Sequence, residues 1–425
     1  MSVVQARSRW QHYSDSLLCR LIPLCLLIDC INGALLQQQG SSYGLSVFYK
    51  IGVLALMAFA TVLYRPVWAL GFLLMLMAML IGPAWHWPQL ATSWMLADIQ
   101  LAVKALSPLL AFCYLLALQK RQPQSAQRVF WQTLQLSAVV LLLNALAGAA
   151  GLGFTAYQPL EGVAQAFLGI KGFFYSTNEL SAVLLVITAA LLCVSWPRYK
   201  AAFIGVSVLA FMLALSMLTK TGLFGVVLLV LLVPLLMQHA AFWRGKKHVL
   251  LLVGGMALLL FLAVLANAET LLKLLGMYDK LSFVYHQRGI SGIALSSRDY
   301  YAGRIWQSLT EHYSHWQQLL GVGQGGIALY LKKYFAELDW FDLLIFYGVA
   351  GLVTWGLTFA VFIRHSVKHC YNGIGRVILM LNLLLLLVSS VAGHILTSGM
   401  LWLPWALCNA LLLTAHQRRD DERHS

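Results

Sequence analysis

The chain has 425 residues, 60% of them hydrophobic and only 10% charged. So little polar surface cannot cover a water-soluble globule of this size, and the composition places the chain in a bilayer. A formal charge of +14 would suit nucleic acid, but Lys and Arg fall in short clusters between apolar runs. No continuous stripe is interleaved with aromatics, which argues against that partner.

The N-terminus begins polar and basic at Arg7 and Arg9, and the apolar run that follows lacks a small-residue cleavage site. The first helix is therefore expected to be retained. A span needs roughly 20 apolar residues. Such runs lie near 16–36, 45–64, 67–85, 91–119, 131–153, 178–196, 201–218, 221–238, 248–266, 341–363, 377–394 and 399–415. The expected fold class is an all-α polytopic membrane protein of about twelve transmembrane helices, forming one integral membrane domain over residues 1–425.

Positive loops stay cytoplasmic. Arg65, then Lys120, Arg121 and Arg128, then Arg198 and Lys200, then Arg244, Lys246 and Lys247, then Arg364, Lys368 and Arg376 fall on one side, which makes both termini cytoplasmic. The opposite connections carry little positive charge apart from Lys171, Lys220 and a long loop, 267–340, rich in aromatic and charged residues. A loop of that length and composition is expected to be functional. Of the seven cysteines, Cys25, Cys30, Cys113, Cys193 and Cys408 lie inside apolar runs, while Cys19 and Cys370 lie at cytoplasmic ends. No disulfide or metal framework follows.

Ionisable groups at membrane depth cost about 2.5–3.5 kcal/mol each, so those that persist usually face a cavity. Asp98 and Lys104 in the fourth span, Lys50 in the second and Asp29 in the first all lie toward the external side. Snorkelling is the alternative for Lys50, Asp29 and, less easily, the deeper Lys104. Lys220 occupies a very short external turn, where a bundle opening onto an anionic substrate would want a cation. The long loop holds Arg288, Arg298 and Arg304 beside Tyr285, Tyr300, Tyr301 and Trp306. Guanidinium forks suit pyrophosphate. On a helix Arg304 shares a face with Tyr300 and Tyr301, whereas Arg298 lies about 120° away, so one of the two arginines is expected to be structural.

Glu311, His312 and His315 offer a carboxylate and two imidazoles, but no fourth ligand is placed and a solvated helix face is the simpler reading. The run Gly321-Val322-Gly323-Gln324-Gly325-Gly326 matches a dinucleotide fingerprint by letter. It lacks the preceding strand and the cytoplasmic side, and reads as a turn.

Several stretches together resemble the O-antigen ligase and polysaccharide polymerase superfamily, over roughly residues 90–400. They are Gly172 through Glu179 opening the sixth span, the Thr219-Lys220-Thr221 turn, Arg298-Asp299, Leu320 through Gly323, and Glu337 through Gly351. In the ligases the segment before the tenth span resembles a His-Asn pair followed at a fixed spacing by Gly-x-x-Gly. Here Gly348 and Gly351 keep that spacing, but Glu337 and Leu338 stand where His and Asn would be. Glu337 through Leu344 with Tyr347-Gly348, and Gly393-His394 near the end of the eleventh span, are instead similar to polymerases of O-antigen, capsule and exopolysaccharide repeat units.

The resemblance implies the helical architecture of lipid-dependent (GT-C-like) glycosyltransferases and a metal-independent, inverting transfer without a cofactor. It implies a site at the periplasmic face of a bacterial inner membrane. Donor and acceptor are both glycans on undecaprenyl pyrophosphate, and a chain-length regulator is a possible partner. A sugar hydroxyl needs a base within reach, for which Glu337 and Asp339 are the candidates. A pyrophosphate leaving group needs fixed cations, for which Arg298, Arg304, Lys220, Lys104 and Arg288 are the candidates, with His394 beside them. Two other classes stay open: an O-antigen ligase acting on lipid A-core, and a lipid-linked oligosaccharide flippase, which would commonly show two related halves.

Overall fold

The computed structural model describes residues 3–40, 44–156, 169–238 and 296–412, with isolated positions between 255 and 295. The apolar runs among them are helices, because in hydrocarbon every backbone N–H and C=O must find its partner within the segment. In chain order these are α1 (Val3–Leu21), α2 (Cys25–Gln39), α3 (Leu45–Tyr64), α4 (Pro66–His86), α5 (Thr92–Arg121), α6 (Pro123–Ala149), α7 (Thr177–Ser195), α8 (Lys200–Met217) and α9 (Lys220–Leu236). Then come α10 (Arg298–His312), α11 (His315–Leu320), α12 (Gly323–Ala328), α13 (Asp339–Lys368), α14 (Gly373–Val391) and α15 (Trp402–Leu407). A short antiparallel ribbon, β1 (Phe154–Thr155) with β2 (Ile170–Gly172), is the one departure from helix among the described elements.

Nine of the described helical segments are long and apolar enough to cross a membrane, and Lys220–Leu236 and Trp402–Leu412 are shorter apolar helices. The chain is thus a nearly all-helical, multi-pass membrane protein. The expected span at 248–266 lies outside the described residues apart from Gly255, and so does most of 267–295.

The helices begin and end where local chemistry dictates. Pro66 and Pro123 open α4 and α6 at a position whose N–H would be unpaired anyway. Ser176, Thr219 and Asn372 cap α7, α9 and α14 by accepting the N–H of Glu179, Gly222 and Gly375. α1 and α2 together make one span (Ser8–Gln38), and successive spans alternate, so the connections gather at two ends. One end holds Arg65, Lys120, Arg121, Arg198, Lys200, Lys368 and Arg376. The other, called here the site end, holds the α4–α5 turn, the β ribbon, the α8–α9 turn, α10 to α12 and the α14–α15 connection.

α5 and α7 are the most enclosed of the long helices. α7 packs on α8 and α9, α5 on α3, α4 and α15, and α13 on α14 and α4. One set of buried polar groups ties three helices together. Asn382 donates to Ser366 Oγ at 2.7 Å and to Asn409 Oδ1 at 2.8 Å, and accepts the Trp405 indole N–H at 2.7 Å. These bonds join α13, α14 and α15, as interhelical polar contacts do where there is no hydrophobic force between helices.

At the basic end, Arg121 reaches both oxygens of Asp15 at 2.8 Å, and Tyr114 donates to the same carboxylate at 3.2 Å. Asp15 is fully buried. Asp15→Ala should therefore strand a guanidinium in the bundle at a cost of about 3 kcal/mol, the low end for breaking a buried pair. The expected readout is a lower Tm of the purified protein in detergent with Asp15→Glu recovering part of it, and an unchanged Tm would refute the role.

α13 is not continuous. Gly348 has φ 59° and ψ −145° within it, a conformation open to glycine. The break admits the segment after α11: Val322 N–H donates to Ile345 O at 3.1 Å. A Cβ at Gly348 would collide with the carbonyl oxygen of Leu319, and one at Gly82 on α4 with those of Leu320 and Gly321. The Gly321–Gly326 run is therefore more than the expected turn. It crosses the α13 break and then forms α12, whose Gln324 N–H donates to Asp98 Oδ1 at 2.7 Å.

Candidate functional site

Three carboxylates lie at the start of α13, and they do different work. Asp339 is buried and accepts five hydrogen bonds, from Ser389 Oγ, Thr397 Oγ1 and the N–H groups of His394, Ile395 and Leu396, at 2.7 to 3.0 Å. Its lone pairs are spent on shaping the turn that follows α14. Asp342 is buried too, and accepts Ala336 N–H at 2.9 Å and Leu338 N–H at 3.1 Å, which fixes the backbone on either side of Glu337. Glu337 is half-buried and its partners are side chains: Arg298 at 3.2 Å and Lys333 at 3.5 Å.

Arg298 is the first residue of α10, and its side chain is buried with Nε lacking a partner among the described residues. Lys333 also stands over the Tyr301 ring at 3.9 Å. His394 turns Nδ1 toward Thr397 Oγ1 at 3.3 Å, and its charge reaches Glu337. Lys220, the first residue of α9, donates to Ser296 at 3.4 Å, two residues before Arg298. Burial alone would raise the Glu337 carboxyl, but Lys333, His394 and Arg298 outweigh it and hold the group below the usual glutamate range.

The backbone is strained at the same place. Among the described residues, the non-glycine positions with positive φ are Leu218, Ser296, Ser297, Glu337 and His394. All lie in this compartment or within two residues of its members, and each such residue costs on the order of 1–3 kcal/mol, held by the surrounding structure. Gly393 fits because a Cβ there would strike the Glu337 carbonyl. A run of aromatic rings leads away from His394: Phe335 lies 6.5 Å from its ring, Tyr334 meets Phe335 at 5.1 Å and Trp94 meets Tyr334 at 5.3 Å.

The remaining sequence candidates fall elsewhere. Arg304 is exposed on α10, about 120° round the helix from Arg298, so the two arginines do not share a face. Arg288 lies outside the described residues. Asp98 latches α12 and accepts the Trp87 indole N–H at 3.1 Å. His312 stacks on Tyr330 at 3.7 Å, and Glu311 takes the Gln307 amide at 2.7 Å.

Lys104 belongs to a second compartment, on the other side of the turn that Asp339 shapes. It lines a cavity of about 1050 Å³ with Lys50, Asp29, Glu179 and the Gly399 backbone. Lys50 pairs with Asp29 at 2.5 Å. Glu179 Oε2 accepts Ser398 Oγ–H at 2.7 Å and Gly399 N–H at 2.8 Å. Lys333 and Glu179 were not singled out from the sequence as site residues. The signal for Lys333 was its i, i+4 spacing to Glu337. Glu179, three residues after the cap Ser176, reads as half of a capping box.

Fold and site together define a multi-pass helical membrane protein with two charged compartments at one end of the bundle, separated by the 394–400 turn. The sequence matches no family model and no curated protein.

Proposed function

We propose that this chain polymerises undecaprenyl-pyrophosphate-linked repeat units into a cell-surface polysaccharide at the periplasmic face of a bacterial inner membrane. The observation that carries the reading is the Glu337 compartment, in which one ionised carboxylate faces Arg298, Lys333 and His394 at the end away from the basic connections. Positive connections mark the cytoplasmic side, so the site end is assigned to the periplasm.

In the proposed reaction the acceptor sugar's hydroxyl oxygen bonds to the donor's anomeric carbon from the face opposite the lipid pyrophosphate. The carbon–oxygen bond to pyrophosphate breaks and the bonding pair leaves on the phosphate oxygen. Glu337 takes the hydroxyl proton. Arg298, with Lys220 and Lys333, meets the negative charge that develops on the leaving group, the term that usually dominates such catalysis. α9 and α10 begin at Lys220 and Arg298, so their positive dipole ends add to it. Asp339, its oxygens already occupied, is a positioning residue that holds the His394 turn. The Trp94, Tyr334 and Phe335 rings offer apolar faces for sugar.

Glycan profiles of a deletion strain test this. Loss of polymer with single-repeat capping retained is the expected result. Loss of all capping with accumulated lipid-linked polymer would instead mark a ligase, a reading that Glu337 in place of the ligases' His disfavours.

A further inference from the structure

The second compartment opens into a groove between α2, α3, α4 and α5 whose walls are apolar, among them Leu54, Ala58, Val62, Leu70, Leu73 and Leu110. On α3 the lining runs from Ser46 to Val62, 16 steps of about 1.5 Å, or roughly 24 Å. A hydrocarbon core is about 30 Å thick, so the groove passes the midplane, whereas an ordinary phospholipid tail stays within its own leaflet. The occupant it fits is a single chain longer than one leaflet.

The mouth gives the occupant a head. Lys50 Nζ stands 3.6 Å and Lys104 Nζ 4.0 Å from the place a Cβ on Gly399 would take, so both ammonium groups converge on that turn. Lys50 is answered by Asp29 at 2.5 Å. Lys104 is exposed to the cavity and its ammonium has no ion-pair or hydrogen-bond partner among the described residues. A charge kept within a span without a partner is costly, and a phosphate arriving there would supply one. Glu179 uses Oε2 for Ser398 and Gly399, which leaves Oε1 as an acceptor for a hydroxyl. Tyr175, 84% exposed, adds an aromatic face at the same mouth.

We infer that this groove is a second glycolipid site, separate from the Glu337 compartment. It takes a polyprenyl-phosphate-linked sugar with its chain along α3, its phosphate on Lys104 and a sugar hydroxyl on Glu179. Assigning that lipid as the acceptor rests on the polymerase reading above; the binding itself does not. The Thr397–Gly399 turn then separates two lipid-linked substrates, with Asp339 gripping it from one side and Glu179 from the other.

The test is photo-crosslinking of the full-length protein in nanodiscs with a polyprenyl monophosphate carrying a photoreactive group in its tail. Adducts are expected on the α3 face between Ile51 and Val62. Lys104→Gln should cut their yield about tenfold, and Ala58→Trp, which fills the groove and leaves the mouth intact, should abolish them. Adducts mapping elsewhere, an undiminished yield in both variants, or displacement of the probe by a tenfold excess of phosphatidylglycerol would overturn the site. A protein that crosslinks as expected yet makes no polymer from lipid-linked repeat units would sink the polymerase reading and leave the groove assignment standing.

Discussion

Glu337→Gln is expected to lower polymer formation by roughly 10²–10⁴-fold, the range typical of a lost general base, with normal protein levels in the membrane. The amide keeps the shape and can still accept from Arg298, so the loss reports the charge and not the packing. A base must be ionised to act, and Glu337 is held below the usual glutamate range by Lys333, His394 and Arg298 against the opposing effect of burial. Activity should therefore persist as pH falls until that lowered pKa is crossed. Lys333→Met removes one of the lowering charges, so the acid limb should move to higher pH. Asp339→Asn is expected to act differently, disordering the turn at His394 because it turns an amide toward N–H donors. Turnover assays with a lipid-linked repeat unit separate the two: a well-folded, inactive Asp339→Asn beside an active Glu337→Gln would transfer the base role to Asp339.

Arg298→Ala should lose about 10²–10³ in kcat, the scale seen when one fixed donor to a developing anion is removed. Arg298→Lys should recover only part, since an ammonium keeps the charge and loses the planar fork. Arg304→Ala should change kcat less than about threefold, because that side chain is exposed and lies about 120° round α10 from Arg298. Steady-state kinetics on the three variants decide it. Equal losses at Arg298 and Arg304 would remove the assignment of pyrophosphate to the Glu337 compartment.

The spans were legible because a bilayer leaves a long apolar run little choice but helix, and Lys and Arg marked the alternation of the connections. The sequence also placed Arg298, Glu337, His394, Lys220 and Lys104 on one side of the membrane. What it could not supply was azimuth. Lys104 and Arg298 share a side, yet the 394–400 turn stands between their compartments, and that turn is shaped by Asp339 through bonds spanning 55 to 58 residues of chain. Similarly, Gly321–Gly326 looked like a plain turn because Asp98, which caps α12 from 226 residues away, cannot be paired with it by local pattern. Glu179 was hidden by its own plausibility: the letters Ser176 to Glu179 spell a capping box, but the carboxylate reaches across to Ser398 and Gly399.

The break at Gly348 bears on biogenesis. A helix interrupted within an apolar span leaves carbonyls that hydrocarbon cannot satisfy, and here Ile345 O is answered by Val322 from the segment between α11 and α12. That segment precedes α13 in synthesis, so it can dock only once α13 has formed and the notch at Gly348 exists. Docking at the notch seats α11 and α12 against α4 and α13, which makes their assembly a step that follows formation of α13. The segment is consequently a keyed part of the bundle, and it could not be exchanged for that of another polytopic chain without its matching notch.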